Sequence, residues 1–149
     1  MPKLLTLSIC ALAALPIAPL VAQDRPATAS AAVEEFIRAA ADSNLVRMSE
    51  LFGTEKGSAR RTGKPEDYEK RMVIMQAMMG RTEVRALTEV ATAKRGEVVV
   101  TTEVAKGNCK VVVPVTTVQA RDGWLVHSFD LPAIWDGINR PCEGTPIGN

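Results

Sequence analysis

The single histidine of this chain, His127, is its first candidate for acid–base chemistry. Asp130 follows it closely, and the only tyrosine is Tyr68. An imidazole beside a carboxylate can act as a general base, and a tyrosine can donate to a developing oxyanion. In a regular strand, however, residues 127 and 130 point to opposite faces, which argues against a His–Asp dyad. A lone histidine among apolar residues is more often packed and hydrogen-bonded, and we favour that interpretation.

Other site chemistries have no motif in this sequence. It contains no Gly-x-Ser-x-Gly nucleophile elbow, no phosphate-binding loop and no dinucleotide fingerprint. One histidine argues against a zinc site. We therefore predict no metal, no cofactor and no catalytic set. If the protein is an enzyme, His127 and Asp130 are the candidates, and Glu103 is a further acid that could lie in a pocket.

Residues 1–22 have the pattern of a secretory signal peptide. Lys3 precedes an almost wholly apolar run from Leu4 to Leu20, and the small residue Ala22 ends the segment. Two prolines within this run disfavour a stable membrane span and fit a segment that is cleaved after about Ala22. We expect an exported protein, periplasmic or secreted, without a stable membrane span after cleavage.

Export changes the interpretation of the cysteines. Cys109 and Cys142 are the two that remain once residues 1–22 are removed. An even pair in an oxidising compartment favours a disulfide, and no Cys-x-x-Cys spacing indicates a redox pair. We predict a Cys109–Cys142 disulfide, with two free thiols as the alternative.

The charge of the chain argues against one class of partner. The formal charge of the whole chain is +1, and residues 1–22 contain one basic residue and no acidic one. The mature chain is therefore neutral and lacks the electrostatic footprint of a nucleic-acid-binding protein. We expect no nucleic-acid partner.

Three helices are predicted before residue 80. Apolar spacing indicates a helix that begins near residue 31, a short second helix capped by Asn44, and a third helix over 65–79. Residues 23–30 are predicted to be a flexible leader, and the glycine-rich, basic segment 53–64 an exposed loop.

One face of the third helix is rich in methionine. Such a stripe can line an adaptable apolar pocket, although core packing is its commoner role. The residues that we expect to line a pocket are Tyr68, Met72, Met75 and Met79 on this helix, with Val126 and Phe129 on the last strand.

Four strands are predicted over 82–94, 97–106, 109–120 and 124–131. They are rich in valine and threonine and are joined by short turns, so neighbours pair antiparallel. Segment 109–120 is apolar at both odd and even positions, which predicts cover on both faces, and Pro114 within it requires a bulge or an edge position. We predict an α+β domain over 31–131, with three N-terminal helices packed on a curved antiparallel sheet. Residues 132–149 are predicted to be a C-terminal tail of turns.

This order of elements resembles the nuclear transport factor 2-like superfamily. The resemblance rests on AAVEEFIRAAADSNLVRMSELFG at 31–53 and DGWLVHSFDL at 122–131, the latter similar to the terminal strand of uncharacterised exported members. The resemblance implies a cone with a pocket between sheet and helices, on which isomerases, dehydratases, polyketide cyclases and non-enzymatic binding modules occur. Its enzymes need an acid–base group in the cone. The ketosteroid-isomerase-like arrangement implies a tyrosine and two acids, a set that this chain does not clearly supply.

Three functions remain open on these grounds. The first is an exported non-catalytic module that binds a small apolar ligand or a protein partner, with a homodimer formed through the outer face of the sheet. The second is a cofactor-free lyase or isomerase that uses His127 or Asp130 as general base. The third is a structural envelope protein. A cavity lined by apolar residues, with His127 hydrogen-bonded elsewhere, would favour the first.

Overall fold

Helices and strands are arranged in an α+β fold in the computed structural model, which describes residues 25–121 and 123–140. The helices are α1 (Ala29–Ala41), α2 (Leu45–Leu51), α3 (Ala59–Thr62), α4 (Tyr68–Met79) and α5 (Leu131–Asn139). The strands are β1 (Gly53–Thr54), β2 (Gly57–Ser58), β3 (Glu83–Ala91), β4 (Glu97–Lys106), β5 (Cys109–Ala120) and β6 (Gly123–Phe129). Strands β3 to β6 form one antiparallel sheet in chain order. The predicted fold class and four-stranded sheet are therefore confirmed.

Side-chain caps explain where the first two helices begin. The Thr28 hydroxyl accepts from the Ala31 N–H at 3.1 Å, and the Asn44 side chain accepts from the Arg47 N–H at 3.0 Å. Each cap satisfies an N–H that has no partner within its own helix. The Asn44 cap was predicted from the sequence and is confirmed.

Segment 53–64 is not the exposed loop that its composition predicts. Strands β1 and β2 form a small hairpin, and the one-turn helix α3 follows directly. Ser58 is buried and caps α3, and a side chain at Gly53 would collide with the backbone of Gly57. The glycines therefore permit close backbone approach, and two-residue strands are too short for a period-two pattern to reveal them.

The third predicted helix begins later than residue 65. Helix α4 starts at Tyr68, whose N–H donates to the carbonyl of Pro65 at 2.9 Å. Residues 65–67 thus form a turn before the helix. The prediction of three N-terminal helices is correct for α1, α2 and α4, and α3 is an additional element.

The core lies between the inner face of the sheet and helices α1, α4 and α5. Phe36 of α1 and Met48 of α2 are fully buried, as are Met72 and Met79 of α4. The sheet contributes Val100, Val104, Val113, Val115 and Val126 to the same cluster. Burial of this many apolar side chains is the main stabilising contribution in a domain of this size.

Strand β5 is covered on one face along its length and on the other face only near its end. Val113 and Val115 are buried, whereas Val112 is 52% exposed. The predicted cover on both faces near its middle is therefore wrong, because no element of the described chain lies over Val112. Pro114 lies beyond Val115–Phe129, the last pair of β5 with β6, and so occupies an edge position as predicted.

The C-terminal segment is a helix over 131–139, not the predicted run of turns. The Asp130 carboxylate accepts from the Ala133 N–H at 2.9 Å and caps α5. Pro132 lies in the first turn, where the missing N–H has no cost. Ile134 and Ile138 are buried against the sheet, whereas Trp135 is 41% exposed.

The first described residues lie along the free edge of β6. The Pro26 carbonyl accepts from the Trp124 N–H at 3.1 Å, and Pro26 is buried. Helix α1 then begins at Ala29, so residues 29 and 30, which the sequence assigns to a flexible leader, belong to this helix. The predicted signal peptide and Cys142 lie outside the described residues. Among the described helices, none has the length and apolarity to cross a membrane.

Candidate functional site

An open cleft lies between α4, the end of β6 and the start of α5. Its volume is about 280 Å³. Most of its wall is apolar, and His127, Arg71 and Ser128 are the polar side chains that line it. We call it the apolar cleft; its residues are Phe52, Arg71, Ile74, Met75, His127, Ser128, Phe129 and Leu131.

Two aromatic rings of the cleft are fixed by a third ring in the core. The ring centroid of Phe36 is 5.9 Å from that of Phe52 and 5.8 Å from that of Phe129. Phe36 is fully buried. Because aromatic pairs at these separations are favourable contacts, the wall that Phe52 and Phe129 form is held by the core itself.

A second hollow adjoins the apolar cleft and extends it toward the β1–β2 hairpin. It has a volume of about 350 Å³ and shares Phe52, Arg71 and His127 with the cleft. Lys64 adds a second positively charged side chain beside that of Arg71. We call it the basic extension; its residues are Phe52, Gly53, Thr54, Lys64, Pro65, Arg71 and His127.

His127 lies at the junction of the two hollows because of a β-bulge. In the pairing of β5 with β6, Thr117 pairs with Val126 and Thr116 with Ser128, so His127 is the extra residue. A bulge breaks the alternation of side chains along a strand. Trp124 and Val126 face the core before it, and Phe129 packs on the same core after it.

The imidazole of His127 is oriented by the backbone of the hairpin. Its Nδ1 lies 2.9 Å from the carbonyl oxygen of Gly53. A carbonyl oxygen only accepts, so Nδ1 carries the proton, and in the neutral ring Nε2 keeps its lone pair. The ring is half-buried and joins β6 to the loop that follows α2.

Asp130 is not a partner of His127. Its carboxylate caps α5, as described above, and the side chain is exposed and absent from both hollows. The two residues are separated because the strand ends at Phe129 and the chain turns into a helix. Glu103 lies on the outer face of the sheet, where it pairs with Arg85 at 3.2 Å and Lys110 at 3.6 Å.

The charged side chains beside the cleft are basic, and each has an acidic partner on its own segment. Arg71 Nε donates to Asp67 Oδ1 at 2.9 Å, and Lys64 Nζ donates to Glu66 Oε1 at 2.8 Å. The hydrogen bond from Arg71 lowers the pKa of Asp67 below its ordinary value. Neither acid lines the apolar cleft or the basic extension.

The residues predicted to line a pocket are divided among three places. Met75 and Phe129 line the apolar cleft. Tyr68 and Met72 line a different groove, between α2 and α4. Met79 and Val126 are fully buried in the core.

Several cleft residues have no sequence signal of their role. Arg71 and Ile74 occupy the side of α4 next to the methionine stripe, and Phe52 is the residue that ends α2. Leu131 begins a helix that the sequence did not predict. The bulge at His127 is not marked by glycine or proline, whereas the start of α5 is marked by Asp130 as cap and Pro132 in the first turn.

No group of three or more histidine, cysteine, aspartate or glutamate side chains within residues 25–121 and 123–140 could hold a metal ion. The polar chemistry available in the cleft is that of one imidazole, one guanidinium and one hydroxyl. A ligand here is therefore held by apolar contact and by a small number of polar groups.

Comparison with known proteins finds a likeness of fold. No family profile matches the chain, and no curated protein matches it. An NTF2-like protein of unknown function from Cytophaga hutchinsonii is similar with 13% identity and a TM-score of 0.40, over 70% of this chain and 91% of that chain. An LEH-like epoxide hydrolase from M. tuberculosis is similar with 20% identity and a TM-score of 0.33, over 75% of this chain and 90% of that chain. The first carries the name of the superfamily that the sequence resembles.

Proposed function

We propose that this protein is a non-catalytic binding module whose apolar cleft takes a small ligand. The observation that supports the proposal is an open hollow of about 280 Å³ with a mainly apolar wall. Other hollows of the described chain have similar volumes, about 270 to 350 Å³, so this one is favoured by its apolar wall and by its position between helices and sheet. Its volume is close to the lower end of small-molecule sites, roughly 300–1,000 Å³. The ligand is therefore small.

The position of His127 fits binding better than catalysis. Its Nδ1 is hydrogen-bonded to a backbone carbonyl, and no carboxylic acid among the described residues lines either hollow. A general base commonly works with a second acid, and the donors beside His127 in the cleft are limited to Arg71 and Ser128. The imidazole thus serves chiefly to hold the hairpin against β6.

Octanol is a suitable neutral probe for this proposal. The experiment uses protein purified after expression of the full chain, with the methyl NMR signals followed during titration. We expect the signals of Ile74 and Met75 to shift with added octanol, because both line the apolar cleft. Val73 lies on another side of α4, in the groove between α2 and α4, so its methyl signals should not shift as octanol is added.

A pair of neighbouring substitutions gives the matched control. Ile74 is 45% exposed and lines the cleft, whereas Val73 is 49% exposed and lines the groove between α2 and α4. We expect Ile74→Glu to abolish the octanol response and Val73→Glu to retain it. A response that survives Ile74→Glu, or no response in the unmodified protein, would contradict the proposed site.

A second candidate function is supported by one observation. The Gly53 carbonyl fixes the tautomer of His127 in which Nε2 is unprotonated, and this ring lines both hollows. Such a ring is suited to accept a proton in a lyase or isomerase. His127→Gln would remove turnover of a candidate substrate, because a glutamine side chain cannot accept the proton. A structural envelope role has less support, because it does not require a cleft.

A further inference from the structure

We propose that the natural ligand of the cleft is a small amphipathic carboxylate. Its apolar body lies in the apolar cleft, and its carboxylate is held by Arg71 and Lys64 in the basic extension. This inference rests on the proposed function of the cleft as a ligand site, and it adds the chemical class of the ligand.

The two hollows meet at shared residues, and both have mainly apolar walls. The wall of the apolar cleft is formed mainly by Phe52, Ile74, Met75, Phe129 and Leu131. The basic extension shares Arg71 with the cleft and adds Lys64, and no aspartate or glutamate of the described chain lines either hollow. A molecule that occupies both meets apolar walls throughout, with the guanidinium of Arg71 where the hollows join and the ammonium of Lys64 in the extension.

The geometry of Arg71 leaves its terminal nitrogens available. Its Nε donates to Asp67 at 2.9 Å, and among the described residues no protein acceptor binds its Nη atoms. The Asp67 contact uses Nε and leaves the two Nη atoms for another acceptor. Arginine binds carboxylates through two parallel N–H···O bonds, so a guanidinium at the edge of an apolar hollow is suited to this group.

Lys64 adds a second charge whose acidic partner lies toward solvent. Glu66 bonds Lys64 at 2.8 Å, but the Glu66 side chain is 87% exposed. Because Glu66 is so exposed, its ion pair with Lys64 is weak, and another anion readily replaces Glu66 beside the ammonium. A ligand carboxylate in the extension would therefore compete with Glu66 at little cost.

Other ligand classes leave part of the site unused. A neutral apolar ligand makes no use of Arg71 or Lys64, and an inorganic anion leaves the apolar wall in contact with water. An amphipathic carboxylate satisfies both ends, and electrostatic complementarity of this kind sets specificity.

The test compares octanoate with octanol, which have the same apolar chain. Calorimetric titrations of the purified protein at low salt should show octanoate binding about tenfold more tightly, since hydrogen bonds to charged groups are the stronger ones. The advantage should shrink as salt is added, because exposed charges are screened. Arg71→Gln should remove most of the difference in affinity between octanoate and octanol.

The matched control is Arg38→Gln. Arg38 is also a helical arginine with an acidic partner one turn away, Glu34 at 3.7 Å, and it is 58% exposed against 54% for Arg71. It lines neither hollow, so its loss should change neither affinity. Lys64→Gln provides a second variant at an exposed position and should weaken octanoate binding alone.

Each outcome separates the two proposals. Equal affinities for octanol and octanoate would overturn the carboxylate assignment and leave the binding module standing. Loss of octanol binding in Arg71→Gln would show that Arg71 shapes the cleft and would also overturn the assignment. If neither probe binds the unmodified protein, the proposed function itself is wrong.

Discussion

The carboxylate of Glu34, in α1, accepts a hydrogen bond of 3.0 Å from the backbone N–H of Ala86, in β3. Ala86 pairs with Thr102 and Thr88 with Thr101, so Leu87 is the extra residue of a bulge in β3. Because β3 lies at the edge of the sheet, an N–H that points away from β4 needs an acceptor outside the sheet. Glu34 supplies it and joins the first helix to the point where the edge strand bends.

Glu34→Ala should therefore destabilise the domain. We expect a loss of about 1–2 kcal/mol in the free energy of unfolding, since the N–H of Ala86 loses a charged acceptor. Glu34→Gln keeps an acceptor oxygen on a side chain of the same length, so it should lower the free energy of unfolding by about half as much or less. Urea denaturation of the three proteins measures the difference. Equal midpoints for Glu34→Ala and the unmodified protein would contradict the assignment.

Asp130 is predicted to act on stability and not on ligand binding. Asp130→Ala removes the cap of α5 and should cost about 1 kcal/mol, whereas Asp130→Asn, also a good cap, should cost only a few tenths. Neither substitution should change octanol affinity, because Asp130 lines neither hollow. Thermal unfolding and titration of both variants provide the two readouts. A large effect of Asp130→Asn on binding would place the carboxylate in the site after all.

The elements that could be predicted are those with long repeating patterns. Helix α1 and strand β4 extend over 13 and 10 residues, enough for helical and alternating periods to be distinct. The hairpin of β1 and β2 and the one-turn α3 are too short for any period. Helix α5 was missed because Pro132 and Gly137 indicate turns, although proline is compatible with a first helical turn.

The site could be predicted only in part, because a single bulge determines it. Alternation along β6 places His127 and Phe129 on one face and Trp124 and Val126 on the other. The bulge at His127 instead lets Val126 and Phe129 both contact the core. No glycine or proline at residues 126–128 marks the bulge in the sequence. Met75 was predicted for a pocket from the methionine stripe of the third helix and Phe129 from its place on the last strand, whereas Arg71 was not predicted.

Arg71 should control the titration of Asp67. The hydrogen bond from Arg71 lowers the pKa of Asp67 in the folded protein. A lowered folded-state pKa contributes stability that is present above the unfolded pKa and is lost as pH falls through the folded one. NMR of the Asp67 carboxyl carbon should therefore show a midpoint below that of an ordinary aspartate, and Arg71→Gln should raise it toward that value. An Asp67 midpoint that does not respond to Arg71→Gln would contradict this cause; Arg38→Gln is the control.

Cys109 and Cys142 remain a predicted disulfide. The sulfur of Cys109 lies 3.5 Å from the carbonyl oxygen of Arg140, which brings it close to the chain shortly before Cys142. Intact mass of protein purified from a bacterial envelope should rise by two hydrogen atoms on reduction, and it should also show cleavage after about Ala22. Cys109→Ser should destabilise by roughly 3–4 kcal/mol for a closed loop of about 34 residues. A mass unchanged by reduction would exclude the bond.

The outer face of the sheet is predicted to form a homodimer. Val90 and Val112 are 61% and 52% exposed there, and Val90 pairs with Val99, which lies on the same face. A second copy packed on this face would bury these side chains. Val112→Lys should raise the dimer dissociation constant at least tenfold, because a buried unpaired charge is costly. Val46→Lys, at a 50% exposed position on α2, should leave it unchanged. Sedimentation velocity measures both variants, and a protein that sediments as a monomer at high concentration would show that this face has another partner or none.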